Sequence, residues 1–228
     1  MTGQNKKDLV AMILTGIFVT NAVLGEIMGV KLFTVFGFTM PLGIIPWPIV
    51  FLTTDLINEF YGKKAVRRLT FLTTAMILYM FIIIFSAIHI PAASFSPVND
   101  EVFHKVFGQS LWIIAGSVTA FLLSQYVDVA VFWIFRKRTG MKMLWLRATG
   151  STIVSQLIDT FVIQGIAFVI PGYLSVDQYL SVALTSYIYK LIIALVLTPF
   201  IYASHSMIDI YLGKEITHQM LNTAEQES

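Results

Sequence analysis

The chain has 228 residues, of which 57% are hydrophobic and only 12% are charged. Soluble domains carry about 25% charged residues and about 45–50% apolar ones, so the composition excludes an ordinary soluble domain. The absence of cysteine excludes disulfides, thiolate metal sites and a cysteine nucleophile. The apolar run after Lys6 and Lys7 is too long for a signal peptide and lacks a small-residue cleavage site.

Six apolar segments are long enough to cross a bilayer, which takes roughly 20 residues of helix. They cover about 9–30, 44–62, 69–90, 110–135, 148–170 and 179–211. A turn separates the first two, Pro91 ends the third, Pro171 ends the fifth, and Pro199 suggests a kink in the sixth. We therefore predict an all-α integral membrane protein, a six-helix bundle that occupies residues 1–228 as a single domain. A polar loop is expected around Asn99, and disorder only in the polar C-terminal tail.

The distribution of Lys and Arg predicts the orientation, because these residues concentrate in cytoplasmic loops. With the N-terminus inside, twelve of the fifteen lie in cytoplasmic segments, and both termini are cytoplasmic. The twelve are Lys6, Lys7, Lys63, Lys64, Arg67, Arg68, Arg136, Lys137, Arg138, Lys142, Arg147 and Lys214. Lys31 and Lys105 lie outside, and Lys190 lies within the sixth span.

Several ionisable side chains fall inside the predicted spans. Such a group costs on the order of 2.5–3.5 kcal/mol at the bilayer centre, so it generally faces the bundle interior and has a function. At a rise of about 1.5 Å per residue, Asp55, Asp159 and Lys190 share a mid-membrane level. Helical spacing puts Glu59 on the face of Asp55, and Gln156 on the face of Asp159. We predict a cavity lined by Asp159, Gln156, Asp55 and Lys190, with Asn21, Glu59, Gln125 and Asp128 around it.

A structural interpretation of the same residues stays open. Buried polar side chains can simply hold helices together by hydrogen bonds. Asp159 and Lys190 can pair only to neutralise each other, and Glu59 and Asp128 can extend toward the basic cytoplasmic loops. Tryptophans at three predicted helix ends are expected to be interfacial anchors; they are Trp47, Trp112 and Trp145.

One short pattern occurs twice. Residues 124–128 and 155–159 both read Ser-Gln-x-x-Asp, in the fourth and fifth predicted spans. Transporters often contain inverted structural repeats whose interface holds the substrate. Five residues leave two explanations open, a relic of such a repeat and chance.

The polar residue types favour a particular ligand chemistry. Carboxylates and amides suit a ligand rich in N–H donors, such as a purine-like base or an amine. The predicted spans contain no arginine, which argues against phosphate or carboxylate substrates. Buried carboxylates would also permit proton coupling. Neither a His-Glu-x-x-His zinc motif nor a Gly-x-Ser-x-Gly elbow occurs, so we expect no enzyme, catalytic residue, metal or cofactor. A channel is disfavoured because no selectivity-filter-like stretch occurs.

Longer motifs resemble a known family. They are the stretch from Phe36-Gly37-Phe38 to Pro41, the run Asp55-Leu56-Ile57-Asn58-Glu59-Phe60-Tyr61-Gly62-Lys63-Lys64, the segment Ser124-Gln125-Tyr126-Val127-Asp128, the run from Leu144-Trp145-Leu146-Arg147 to Ser155-Gln156-Leu157-Ile158-Asp159-Thr160, and the pairs Tyr189-Lys190 and Thr198-Pro199. Across residues 21–202 the chain resembles the vitamin uptake transporter family, whose members are mostly called queuosine precursor transporters.

The resemblance implies import of 7-cyano-7-deazaguanine and 7-aminomethyl-7-deazaguanine, the precursors of the tRNA base queuosine, across a bacterial cytoplasmic membrane. The expected partners are this small molecule and the lipid bilayer, and not nucleic acid. One departure is Leu197, where the family pattern has an aspartate, so Asp159 is the expected partner of Lys190. The alternative is a substrate-binding membrane subunit energised by a separate ATPase module, since the chain has no Walker motif. Other vitamins or bases as substrates, and a homo-oligomer, also stay open.

Overall fold

Long helices make up most of the computed structural model, which describes residues 3–29, 31–35, 38–108, 111–140 and 142–226. The helices are α1 (Gly3–Met28), α2 (Trp47–Ile88), α3 (Asp100–Phe107), α4 (Leu111–Thr139), α5 (Leu144–Gln164), α6 (Val176–Leu212) and α7 (Lys214–Gln226). A π-helical turn, Gly165–Val169, extends α5, and a 3-10 turn, Leu42–Ile44, precedes α2. By length and composition, five helical segments of the described part could cross a membrane. The protein is thus an all-α integral membrane protein.

Helix α2 covers the second and third predicted spans and is broken at the boundary between them. The break is at Gly62, whose backbone angles, φ 80° and ψ 174°, are essentially restricted to glycine. The predicted spans 44–62 and 69–90 therefore lie on the two sides of one residue, with no loop between them. The basic run 63–68 continues the helix because Lys and Arg are good helix formers. A count of six crossings stays a prediction.

Two short elements lie where the sequence predicted a turn and a polar loop. Strands β1 (Leu32–Val35) and β2 (Phe38–Pro41) pair antiparallel between α1 and α2, in keeping with their Thr, Val and Phe content. Helix α3 lies in the predicted polar loop, where the side chain of Asn99 caps it by accepting from the backbone N–H of Val102. Val30, Gly37 and Ser110, which fall in the predicted first span, turn and fourth span, lie outside the described residues.

The polar C-terminal tail is a helix, so the expectation of disorder is wrong. In α7 the buried residues Thr217, Met220, Leu221 and Ala224 follow the i, i+3, i+4, i+7 spacing of one helical face. This face packs mainly against α2. The local composition is polar, but burial of four side chains against the bundle orders the segment.

Both ends of the chain meet the Gly62 break at one end of the bundle. The hydroxyl of Tyr61 donates to the carbonyl oxygen of Lys7 at 2.7 Å, and the ammonium of Lys6 donates to the carbonyl oxygen of Tyr211 at 2.9 Å. Ala224 lies against Gly62. This basic end is distinct from the lateral surface, where large apolar side chains such as Ile82 and Leu195 are more than 60% exposed, as expected of a surface that faces lipid.

Candidate functional site

Two adjoining cavities lie between α2, α5 and α6. The first, with about 330 Å³ of space that includes its open side, is lined by Trp47, Phe51, Thr152, Gln156, Lys190 and Leu197, among others. The second, with about 290 Å³ of space that likewise includes its open side, is lined by Phe51, Asp55, Thr149, Thr152, Leu197 and Thr198, among others. Because they share Phe51, Thr152, Ala194 and Leu197, they lie next to each other along the helix interface, and together they are called the column below. Three of the four residues predicted to line a central cavity, Asp55, Gln156 and Lys190, lie on this column.

The fourth predicted residue, Asp159, reaches the column through an ion pair. The ammonium of Lys190 lies 2.7 Å from Oδ2 of Asp159, and both side chains are about 15% exposed. This is the pairing expected from the presence of Leu197 in place of a second aspartate. Leu197 itself lines both cavities as an apolar side chain.

Four predicted site residues, and Asn58 beside them, have buried polar atoms without hydrogen-bond partners. Within the described part of the chain they include Asp55 Oδ1, both amide atoms of Asn58, Gln125 Nε2, Asp128 Oδ2 and Gln156 Nε2. All five side chains are at most 4% exposed. Each unsatisfied group costs about 1–3 kcal/mol. Because unsatisfied buried groups are rare in folded proteins, these residues of α2, α4 and α5 are candidates for contact with a ligand or with water.

The repeated Ser-Gln-x-x-Asp segments contact each other. The hydroxyl of Ser155, from the second copy, donates to Oδ1 of Asp128, from the first, at 3.0 Å. The hydroxyl of Thr54 donates a hydrogen bond to Oε1 of Gln125 at 3.4 Å. The predicted residues Gln125 and Asp128 therefore connect α4 to α2 and α5, beside Asp55.

Glu59 lies in a charge cluster that the sequence analysis missed. Arg147 approaches it side-on, with Nε 3.0 Å from Oε2 and Nη2 2.5 Å from Oε1. Arg136 adds Nη1 at 3.3 Å from Oε2. The three side chains are 1–2% exposed. The expectation that no arginine lies within the helices is therefore wrong, because Arg136, in α4, and Arg147, in α5, turn their guanidinium groups inward to Glu59. The assignment of these residues to the cytoplasmic side stays a prediction.

The same arginines tie the helix ends together. Arg136 donates to the carbonyl oxygens of Glu59 and Leu221, each at 3.0 Å, and so connects α2, α4 and α7. Arg147 donates to the carbonyl oxygens of Gly140 and Lys142 and so fixes the turn between α4 and α5. Glu59 lies one helical turn from Asp55, so this cluster borders the basic end of the cavity column. Its donors are largely occupied, so it does not present a free anion site.

Residues of α1 are less closely joined to the column. The amide of Asn21 donates to the carbonyl oxygen of Ile17, one turn earlier in the same helix, at 2.8 Å. Glu26 is buried and accepts a hydrogen bond from the hydroxyl of Ser117 in α4. Asn21 was predicted to surround the cavity, and its described hydrogen bond is local to α1.

Trp47 differs from the other tryptophans predicted as anchors. Trp112 and Trp145 are 44% exposed near the starts of α4 and α5. Trp47 instead packs against Phe121 and Phe51 and lines the first cavity. Its position at a helix end suggested an anchor, and only the packing of α1 and α4 around it turns it inward. Among the described residues, no group of three His, Asp or Glu side chains could hold a metal ion.

Comparisons with known proteins identify a transporter family. Residues 41–204 match the family described as "Putative vitamin uptake transporter". A "Probable queuosine precursor transporter" of Bacillus subtilis (strain 168) is 33% identical over 78% of this chain and 77% of its own. The "Queuosine precursor transporter" of Escherichia coli (strain K12) is 27% identical over 72% and 71%, respectively. No solved structure matches the chain.

These matches cover most of both chains, and the proteins are named as transporters rather than enzymes. Together with the apolar helices, they identify a multi-pass, non-enzymatic protein of the bacterial cytoplasmic membrane. The chain belongs to the vitamin uptake transporter family.

Proposed function

We propose that this chain imports 7-cyano-7-deazaguanine and 7-aminomethyl-7-deazaguanine for salvage into queuosine of tRNA. The names of the relatives support the substrate class. The observation that carries the proposal is the set of unpartnered buried polar atoms beside the column, above all Gln156 Nε2 and Asp55 Oδ1. A deazaguanine offers N–H donors and a carbonyl oxygen along one edge, which match carboxylate acceptors and amide donors.

We propose that the chain works as one transmembrane domain with six crossings and both termini in the cytoplasm. The contacts of Tyr61 with Lys7 and of Lys6 with Tyr211 support a shared end for the termini and the Gly62 break. Each half of α2 then crosses once in opposite directions. The density of Lys and Arg at this end supports its cytoplasmic assignment.

The substrate path in this proposal is the column between α2, α5 and α6. The ligand enters the first cavity beside Gln156 and Lys190 and passes Asp55 in the second. The Glu59 cluster closes the cytoplasmic end of the path in the present conformation. Release into the cytoplasm requires α2 and α5 to separate there, because Glu59 and Arg147 join these helices directly.

Uptake in a host that can neither make nor import the precursors tests the proposal. With this chain as the only transporter, either supplied precursor should restore queuosine in tRNA, measured by mass spectrometry of the nucleosides. The host should also lack energy-coupling ATPase modules. Restoration only after such a module is co-expressed would favour the ATPase-dependent alternative, and no restoration in either case would refute both.

A further inference from the structure

The two walls of the first cavity differ in chemistry. On one side, Trp47 and Phe51 of α2 contribute aromatic rings. On the other side, α5 contributes Gln156, and α6 contributes Lys190 among the apolar side chains of Ile193, Ala194 and Leu197. A ligand in this cavity therefore meets two aromatic rings and a mostly apolar lining with a few polar groups, an arrangement that suits a flat heteroaromatic ring with a polar edge.

Packing holds the indole of Trp47 in place. Its ring centroid lies 5.6 Å from that of Phe121 and 6.1 Å from that of Phe51. Gly25 of α1 is next to the indole, and a Cβ atom at this glycine would lie only 3.0 Å from Nε1 of Trp47. Because an alanine would crowd the ring, the glycine lets α1 support it closely. A rigid, supported ring loses little conformational freedom when a ligand stacks on it.

Gln156, which lines the cavity, has an unused hydrogen-bond donor. Nε2 of Gln156 has no hydrogen-bond partner in the described part of the chain, although its side chain is almost fully buried. A carbonyl oxygen on a planar base would accept from this amide. Lys190 is held by Asp159 at 2.7 Å, so the pair presents little net charge to the cavity. An uncharged base therefore fits this cavity better than an anion.

We infer that Trp47, supported by Phe51, is the stacking surface for the face of a planar nitrogen heterocycle whose edge is bound by Gln156. This deepens the proposed function and rests on it, since it assigns the residue that selects for a flat base. Stacking on an aromatic side chain is tolerant of ring substituents. One surface can therefore accept both precursors, which differ only at the 7-position.

Substitutions at Trp47 separate stacking from folding. Trp47→Leu removes the aromatic face and should raise the apparent KM for uptake about tenfold, which corresponds to about 1.4 kcal/mol. Trp47→Phe keeps a ring and should retain most of the uptake. Trp112→Leu is the matched control because Trp112 is exposed to the surroundings of the bundle, and it should transport like wild type. Membrane protein levels are measured for all three variants.

Fluorescence provides a readout that a merely structural role would not change. Titration of the purified wild-type protein with 7-cyano-7-deazaguanine should quench tryptophan emission, because the base contacts the indole. In Trp47→Phe, which still transports, this quenching should largely disappear, whereas Trp112→Leu should keep it.

Two results would overturn the inference while leaving the proposed function intact. The first is normal uptake by Trp47→Leu when the wild-type protein transports the precursors. The second is undiminished quenching in Trp47→Phe. If the wild-type protein neither transports nor binds either precursor, the proposed function and this inference both fail.

Discussion

Removal of the charge of Glu59 should destabilise the basic end of the bundle strongly. The carboxylate accepts from Arg147 at 3.0 and 2.5 Å and from Arg136 at 3.3 Å, and all three side chains are buried. Glu59→Gln keeps the size of the side chain but leaves the buried guanidinium group of Arg147 without its ion-pair partner, and Arg136 with Glu225 as its remaining acidic neighbour. Breaking a buried ion pair by removing one partner costs about 3–5 kcal/mol, because the remaining charge stays desolvated.

The expected loss can be measured as a melting temperature in detergent. For a chain of this size each kcal/mol corresponds to about 2–4 °C, so Glu59→Gln should melt about 6–20 °C below wild type. Glu101→Gln is the matched control. It breaks a 2.6 Å pair with Lys105 whose side chains are more than 70% exposed, and such pairs contribute little.

A double replacement tests the reason for this loss. Glu59→Leu combined with Arg147→Met removes both members of the direct pair and should recover part of the lost stability, since apolar replacement of a buried pair is often neutral. Arg136 would keep the carbonyl oxygens of residue 59 and Leu221 as acceptors. A melting temperature of Glu59→Gln equal to that of wild type would refute the reasoning, because it would mean that the cluster is hydrated or unformed in the protein.

Three further predictions follow from the ion pair, the helix break and the topology. If Asp159 binds the substrate, Asp159→Asn should lower uptake about tenfold or more at normal protein level, since a hydrogen bond to a charged group contributes about 1.5–3 kcal/mol. Full transport by Asp159→Asn combined with Lys190→Met would show instead that the pair is structural. Gly62→Ala should lower the melting temperature, because the φ of 80° at residue 62 strains any side chain and a Cβ would lie 3.3 Å from the backbone of α7. An unchanged melting temperature would mean that the break has another conformation. Reporter fusions at Asn99 and Gly140 should report outside and inside respectively, and the same side for both would contradict six crossings.

Several structural features of this protein were predictable from local sequence. Apolar runs of about twenty residues predicted the long helices because a bilayer imposes that length. Gly62 was predicted as a boundary, and the structure breaks α2 at this residue. The pairing of Asp159 with Lys190 was also predicted, because two opposite charges at one depth of an apolar bundle stabilise each other.

The errors have a common physical cause. Arg136 and Arg147 lie at the ends of apolar runs, where a basic residue normally belongs to a cytoplasmic loop. Such a side chain turns inward only where a buried acceptor is present, and otherwise it extends to water. Here the acceptor is Glu59, which lies on a helix distant in sequence, so the local pattern did not indicate it. The C-terminal tail was misjudged for a similar reason, because α7 gains its stability from the surface of α2 rather than from its own composition.

The sequence by itself therefore determined that this protein lies in a lipid bilayer, how far most of its helices extend, and which polar residues must avoid lipid. Hydropathy and helical spacing are local properties, so the sequence alone is enough for these three features. The tertiary structure decided how those residues are used. It separated Glu59, whose charge is neutralised by two arginines, from Gln156 and Asp55, whose unpartnered atoms lie beside a cavity. It also turned Trp47 into the cavity wall, because only the packing of α1, α2 and α4 determines which way an aromatic ring at a helix end faces.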